Sequence, residues 1–338
     1  MSTVAIVGAG RMGRRHIEMV RQLGLELVGV SDTQPASLAL AASEQHVPES
    51  LLFPDGAAML ARTKPECVIV ATTAASHCEY TCLAAQHGAK FILCEKPMAV
   101  SLAECDQMIR VCAEHDARLA INHQMRFMQQ YIEPKRLLAS PAFGGLSSVT
   151  VVAGNFGMGM NGTHYFEMFR YLTDESPSAV SAWFSDEFVP NPRGAQFVDR
   201  AGSVRLTTPS GKRFYLESSA DQGHGIVAIY AARYGQIVVD ELTLTLRYQA
   251  RLEEHRQKPT TRYGEPWLAH SETIAGNVVD ISRAVMAALI EGKDYPSGED
   301  GRSAVSTLIA AYVSHESGNI RVDPRAADAF VTRVFPWA

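Results

Sequence analysis

Apolar runs, polar turns and amphipathic stretches alternate regularly through the first third of the chain. Val4-Ala5-Ile6-Val7 is apolar throughout, the pattern of a parallel strand covered on both faces. Leu25–Val30 is a second run, Leu52-Phe53 a short third, and Cys67–Ala71, Lys90–Cys94 and Arg118–Asn122 follow. Helical stretches separate them over Ala36–Glu44, Asp55–Arg62 and Glu79–Gly88, the last ended by glycine. Another helix is opened by Ser101, with Glu104 three residues on as a capping box. This alternation predicts an α/β fold with a doubly wound parallel sheet.

The texture changes after about residue 123. Leu146–Ala153, Ser178–Phe184, Ser203–Thr208, Arg213–Ser218, Ile226–Ala232, Gln236–Asp240 and Leu242–Tyr248 read as strands without long helices between them. Pro209-Ser210-Gly211 reads as a hairpin turn. A mostly antiparallel open sheet is expected, flanked by helices near Thr163–Leu172, Ser271–Glu291 and Glu299–Ser317. The expected domains are therefore 1–122, Rossmann-like, and 123–338, an α+β domain. Arg251–Gly264 is charged and strand-poor, and is expected to be a surface loop.

The turn after the first strand carries the first candidate chemistry. Gly8-Ala9-Gly10-Arg11-Met12-Gly13 places glycines at the first, third and sixth positions, between a strand and an amphipathic stretch. Gly8 permits the tight turn, Gly10 the approach of a pyrophosphate, and Gly13 close packing of helix on strand. The pyrophosphate would lie on free N–H groups at the positive end of the helix, alongside Arg11 and Met12. Asp32 ends the second strand 19 residues past Gly13, where a dinucleotide fold places its ribose-binding acid. A carboxylate accepts from a ribose 2′-OH but repels a 2′-phosphate, and no Arg or Lys follows closely. NAD is favoured over NADP. Thr72, Thr73 and His77 follow a strand at its carboxyl end, the edge where open α/β sheets bind ligands.

Bulk properties narrow the setting. With 338 residues, two domains are expected; 46% hydrophobic and 20% charged residues is an ordinary globular balance. A formal charge of −5 without a basic block gives no reason to expect nucleic acid or an anionic membrane as partner. No apolar run approaches the roughly 18 residues of a membrane span, and no signal-peptide layout is present, so a cytoplasmic location is expected. The six cysteines, all within the first third, read as reduced, small and buried. Cys78 and Cys82 lie one helical turn apart beside His77, but no second cluster completes a tetrahedral set, so no metal is expected.

Two further residues have the chemistry of proton transfer and alkoxide stabilisation. Lys96, between Glu95 and Pro97 at a strand's carboxyl end, is biased toward extended backbone by the proline. A lysine held there can donate to a substrate hydroxyl and stabilise negative charge developing on its oxygen. His164 follows Gly157-Met158-Gly159-Met160-Asn161-Gly162-Thr163 at a helix start, with Asn161 as a plausible N-cap. An imidazole titrates near operating pH and suits general-base work. A surface lysine before a turn and a histidine packing at a helix start are the structural alternatives.

These residues resemble the glucose–fructose oxidoreductase / inositol 2-dehydrogenase (Gfo/Idh/MocA) family across essentially the whole chain. The resemblance rests on Gly8–His16, Ala71-Thr72-Thr73 with His77, Glu95-Lys96-Pro97, Asn122-His123-Gln124-Met125-Arg126-Phe127, the His164 helix and the closing Glu299–Ser314 helix. It implies two domains, hydride transfer to or from a nicotinamide cofactor, and sugars, inositols or their derivatives as substrates. By resemblance Lys96 is shared between substrate and cofactor, and His164 is the acid/base. Thr72, Thr73 and Glu95 would line the nicotinamide side. Asn122, Arg126 and Asn161 would meet the substrate, with a structural ion pair as the other reading of Arg126. Many members carry Asp-x-x-x-His here, and the aspartate position falls on Met160, whose thioether cannot bind a hydroxyl as a carboxylate does. Asn161 and Glu167 are the candidates to replace it. An NAD-retaining glycosidase and a non-catalytic dinucleotide sensor are the alternatives on the same fold. The second sheet must be covered on one face, which predicts a homodimer or homotetramer.

Overall fold

The computed structural model describes residues 2–337 apart from 155, 190–193, 195, 261–266, 275–277 and 327–329. Its contacts divide the chain into two compact units. The first comprises Met1–Gln124, Asn277–Val305 and Asp328–Ala338; the second comprises Met125–Gly276 and Ser306–Ala327. The expected single boundary at 122/123 falls close to the first crossing. It does not anticipate the return of two later segments, because a helix pattern does not disclose which sheet will bury its apolar face.

In the first unit the chain runs β1 (Thr3–Val7), α1 (Arg11–Gln22), β2 (Glu26–Ser31), α2 (Pro35–Gln45), β3 (Leu52–Phe53), α3 (Gly56–Thr63) and β4 (Cys67–Val70). It continues through α4 (His77–Gln86), β5 (Phe91–Cys94), α5 (Leu102–Glu114) and β6 (Arg118–Ile121). The six strands are all parallel in the order β3-β2-β1-β4-β5-β6. That order reverses direction between β1 and β4, and ligands of open α/β sheets bind beyond the carboxyl ends at such a switch point. Val4, Ala5, Ile6 and Cys67–Val70 are fully buried, as an all-apolar parallel strand requires. Ser101 caps α5 by accepting from the Glu104 N–H at 3.3 Å, and the Glu104 carboxylate accepts from the Val100 N–H. The C-terminal segment closes on this unit: Phe335 N–H donates to Val100 O, and the Trp337 indole donates to Ala99 O.

In the second unit follow α6 (Gln129–Leu138), β7 (Leu146–Gly154), α7 (Thr163–Thr173), β8 (Ala179–Phe188), β9 (Arg200–Thr207) and β10 (Arg213–Ser219). Then come β11 (Val227–Ala232), β12 (Gly235–Asp240), β13 (Thr245–Arg251) and β14 (Trp267–Thr273). These eight strands form one sheet in the order β14-β13-β12-β11-β7-β10-β9-β8. Every neighbouring pair is antiparallel except β7 with β10. Alternation sets its faces: Val149, Val151, Val204, Phe214, Leu216, Ala228 and Tyr230 are buried. The helices α8 (Val278–Glu291) and α9 (Gly298–Glu316) follow, with α8 against α1, β5 and β6 of the first unit.

The helix expected over Ser271–Glu291 is corrected. Residues 271–273 finish β14, which pairs along its length with β13, and the helix begins at Val278. Strand β14 is exposed at every position, so it lacks the buried alternate face that marks a strand in sequence. The loop expected over Arg251–Gly264 contains a short 3-10 turn at Glu253–His255, tied by the Arg251 guanidinium to His255 O at 2.6 Å. Its last four residues lie outside those described.

Candidate active site

The first unit builds a site from the glycine turn outward. Gly8 has φ +101°, a left-handed conformation that side chains resist. A methyl on it would lie 2.6 Å from the Ala71 carbonyl and 2.9 Å from Thr72 N, so the turn and the Thr72 loop touch only because the residue is glycine. A methyl on Gly13 would lie 1.8 Å from Gly8 O. Gly13→Ala must therefore push α1 off the turn. We expect it to cost roughly 1–3 kcal/mol of stability and to weaken NAD binding, measured by thermal melting and calorimetric titration.

Gly10 is different. It caps α1 without a side-chain cap, no acidic residue occupies the first helical turn, and a Cβ there would meet nothing within 4 Å. Open space before the unpaired N–H groups of a helix start fits a pyrophosphate. Arg11 is exposed and Met12 half-exposed at the same end. Asp32 accepts from Ala9 N–H and Gln34 N–H, both at 2.8 Å, one on each carboxylate oxygen. Each oxygen keeps a lone pair for a ribose hydroxyl. The residues present fit a dinucleotide.

Beyond β4 and β5, two loops are braced together. His77 is buried, with Nδ1 3.0 Å from Pro97 O and Nε2 3.2 Å from Thr72 O. Burial pushes its pKa down, against the pull of those carbonyls and of the Glu95 charge. His77 thus serves as a strut between the loops, with both ring nitrogens turned to protein. Thr72 and Thr73 are half-exposed, and the Ser76 hydroxyl ties them, donating to Thr72 Oγ1 at 2.8 Å and Thr73 O at 3.1 Å.

Behind Lys96 lies a buried polar cluster. Glu95 is 5% exposed, and its Oε1 contacts His16 Nε2 and accepts from Asn122 Nδ2, both at 2.8 Å. Its Oε2 accepts from Lys96 N–H at 3.3 Å. Burial by itself raises the Glu95 carboxyl. The hydrogen bond and charge of His16, the Asn122 amide and the Lys96 charge outweigh it and hold the pKa at about 2. Glu95 and Asn122, expected to face nicotinamide and substrate, instead join through Glu95 Oε1 and the Asn122 amide N–H, with Asn122 fully buried just after β6. His16, on α1, supplies the other arm, 79 residues distant in sequence. Lys96 itself is half-exposed at the head of the cis Lys96–Pro97 peptide.

The second unit holds the other candidates. His164 lies in the first turn of α7, mostly buried, directly after a π-helical turn over Met158–Gly162. Asn161, expected as an N-cap, is inside that turn; its N–H donates to Gly157 O at 2.9 Å and its side chain is half-exposed. A single inserted residue of π geometry often marks a functional site. The neighbouring Tyr165 donates to Glu241 at 3.1 Å, as does Tyr131, fixing α7 on the sheet. Arg126 pairs with Glu167 inside the unit, both buried, and its guanidinium lies 5.1 Å from the Tyr171 ring centroid. The structural reading of Arg126 is the one this geometry supports, and Glu167 is its counter-ion.

Residues 2–123 match the Gfo/Idh/MocA model, described as an oxidoreductase family with an NAD-binding Rossmann fold. That match covers the six parallel strands of the first unit. A D-apiose dehydrogenase from Paraburkholderia graminis is 27% identical over 351 aligned residues, covering 93% of this chain and 88% of its own. An inositol 2-dehydrogenase from Burkholderia multivorans is 31% identical, but over 40% of this chain and 39% of its own. Among solved structures, an oxidoreductase from Agrobacterium radiobacter in complex with NAD+, L-tartaric acid and magnesium superposes with a TM-score of 0.78 at 19% identity. It covers 96% of this chain and 99% of that one. The matched model is that of an NAD-binding oxidoreductase family, and both of these curated relatives are named dehydrogenases. Among the described residues no helix is long and apolar enough to cross a membrane.

Proposed function

We propose that the protein is an NAD-dependent dehydrogenase of a small neutral aldose or polyol. The match to a D-apiose dehydrogenase across 93% of this chain carries the reading, since the inositol dehydrogenase matches only 40% of it. The Arg126–Glu167 pair supports neutrality of the substrate: a guanidinium already neutralised by a carboxylate is a poor receptor for a sugar acid or phosphate. Lys96 donates to the reacting hydroxyl oxygen and stabilises the negative charge that grows as hydrogen leaves carbon. His164 takes the hydroxyl proton. Bound NAD supplies the hydride acceptor. Asp32 holds the adenosine ribose, and the Gly8–Gly13 turn carries the pyrophosphate. Thr72 and Thr73 line the nicotinamide side. Asn161 offers its half-exposed amide to a further sugar hydroxyl.

The test is NADH formation with D-apiose, other pentoses, inositols, sugar acids and sugar phosphates, using NAD and NADP in parallel. Reduction of NAD by a neutral sugar is expected. Activity confined to acids or phosphates would defeat the substrate reading, and reduction of NADP alone would defeat the role given to Asp32. Tight NAD binding with no net NADH from any sugar would favour the glycosidase or sensor.

We also propose a homodimer or homotetramer that covers the outer face of the second sheet. Trp183, Ser203, Glu217 and Val152 are cross-strand neighbours on that face, as are Ser181, Arg205, Tyr215, Thr150 and Ile229. Trp183 is 53% exposed and Tyr215 36%. Large aromatics on a sheet face mark an association surface. Light scattering is expected to report a dimer or tetramer, with Trp183→Asp shifting it toward monomer; a monomeric parent would contradict the assignment. Six free, buried cysteines support a reducing, cytoplasmic location.

A further inference from the structure

The turn that presents His164 is anchored from a distant part of the chain. Asp199, the residue before β9, is 1% exposed. Its Oδ1 accepts from Gly159 N–H and its Oδ2 from Met160 N–H, both at 2.8 Å. These amides belong to the start of a helical segment, where donors lack intrahelical acceptors and the local dipole favours an anion. Within the turn, Asn161 N–H and Gly162 N–H both donate to Gly157 O, and the Thr163 hydroxyl donates to Gly159 O at 3.3 Å. The carboxylate therefore clamps the turn one residue before Asn161 and four before His164.

Gly157 makes the room for it. Its φ of −90° and ψ of 152° are extended backbone open to any residue. Yet a methyl there would lie 2.1 Å from Asp199 Oδ2. The glycine is required by the approach of the carboxylate, not by the backbone.

We propose that Asp199 is the positioning residue for Asn161 and His164. At Met160 the side chain brings no carboxylate to this turn, and Asp199 brings one to its backbone instead. The proposal rests on His164 being the proton-transfer group. Asp199→Asn keeps one acceptor oxygen and turns an amide N–H against an N–H donor. Gly157→Ala displaces the carboxylate without changing its chemistry.

The experiment compares kcat and KM for D-apiose and for NAD in Asp199→Asn, Gly157→Ala and His164→Ala, with amide hydrogen exchange over residues 157–164 and thermal melting. Both turn variants are expected to lower kcat about 10²-fold, as a displacement on the order of 1 Å does. Exchange at Gly159 and Met160 is expected to accelerate, with KM for NAD unchanged. A drop in melting temperature with parental kcat in both variants would overturn the proposal, because that is the signature of a merely structural carboxylate. Should Asp199→Asn not fold, Gly157→Ala decides on the same criteria. Turnover that survives His164→Ala would remove the role of His164 and the proposal together. Turnover lost in His164→Ala but kept in both turn variants would remove the proposal alone. If D-apiose is not turned over by the parent, the same comparison is made with the sugar that the panel identifies; unaltered exchange at Gly159 and Met160 in both variants overturns the proposal irrespective of substrate.

Discussion

Lys96→Ala is expected to lower turnover by about 10³-fold while NAD still binds. In the proposed mechanism the ammonium holds the reacting oxygen, whereas the proposed dinucleotide cradle rests mainly on other parts: the Gly8–Gly13 turn, Asp32 and the Thr72 loop. Fluorescence titration with NADH checks the binding, and steady-state rates check the loss. Lys96→Arg is expected to recover little, since a planar guanidinium fork cannot reproduce a compact ammonium. Parental turnover in Lys96→Ala would remove Lys96 from the chemistry.

Glu95→Ala is expected to have the largest effect on stability, about 3–5 kcal/mol, because removing one partner of a buried charged cluster strands the others. His16 and Asn122, 1% and 0% exposed, would both lose their acceptor. The same cluster gives a pH dependence whose sign follows from the direction of the shift. Glu95 falls from an ordinary 4.5 to about 2 in the folded protein. The folded state therefore binds fewer protons there than the unfolded chain. The stability from Glu95 is complete above about pH 4.5 and is lost as pH falls toward 2, roughly 3 kcal/mol in all. Denaturant unfolding across that window measures it, and Glu95→Gln is expected to flatten this part of the profile. An unchanged slope in Glu95→Gln would show that other carboxylates govern the acid transition.

Much of the first unit was legible because its signals are local. Apolar runs, glycine spacing and an acid at the end of β2 lie within one stretch, and each has one structural use. The six-strand order and the close approaches at Gly8 and Gly13 agree with that reading. The second unit was legible as a mostly antiparallel sheet, since alternation marks each strand with one buried face. Strand β14 escaped because neither of its faces is buried. Asn161 was misplaced as a cap because the chain adds a π turn before α7, and glycine-rich sequence does not distinguish a loop from such a turn.

Other partnerships had no sequence signal. His16 reaches Glu95 across 79 residues, Arg126 reaches Glu167 across 41, and Asp199 reaches the Gly159 amide across 40. A carboxylate that bonds to backbone amides leaves no mark on the residues it serves, since any residue carries an N–H. The sequence by itself determined most of the element types, the glycine turn after β1 and the residue types capable of proton transfer, because those depend on near neighbours in the chain. The tertiary structure alone decided which polar groups are withdrawn from ligand to support others. That choice depends on which buried donor meets which acceptor, and burial makes an unmade pairing costly.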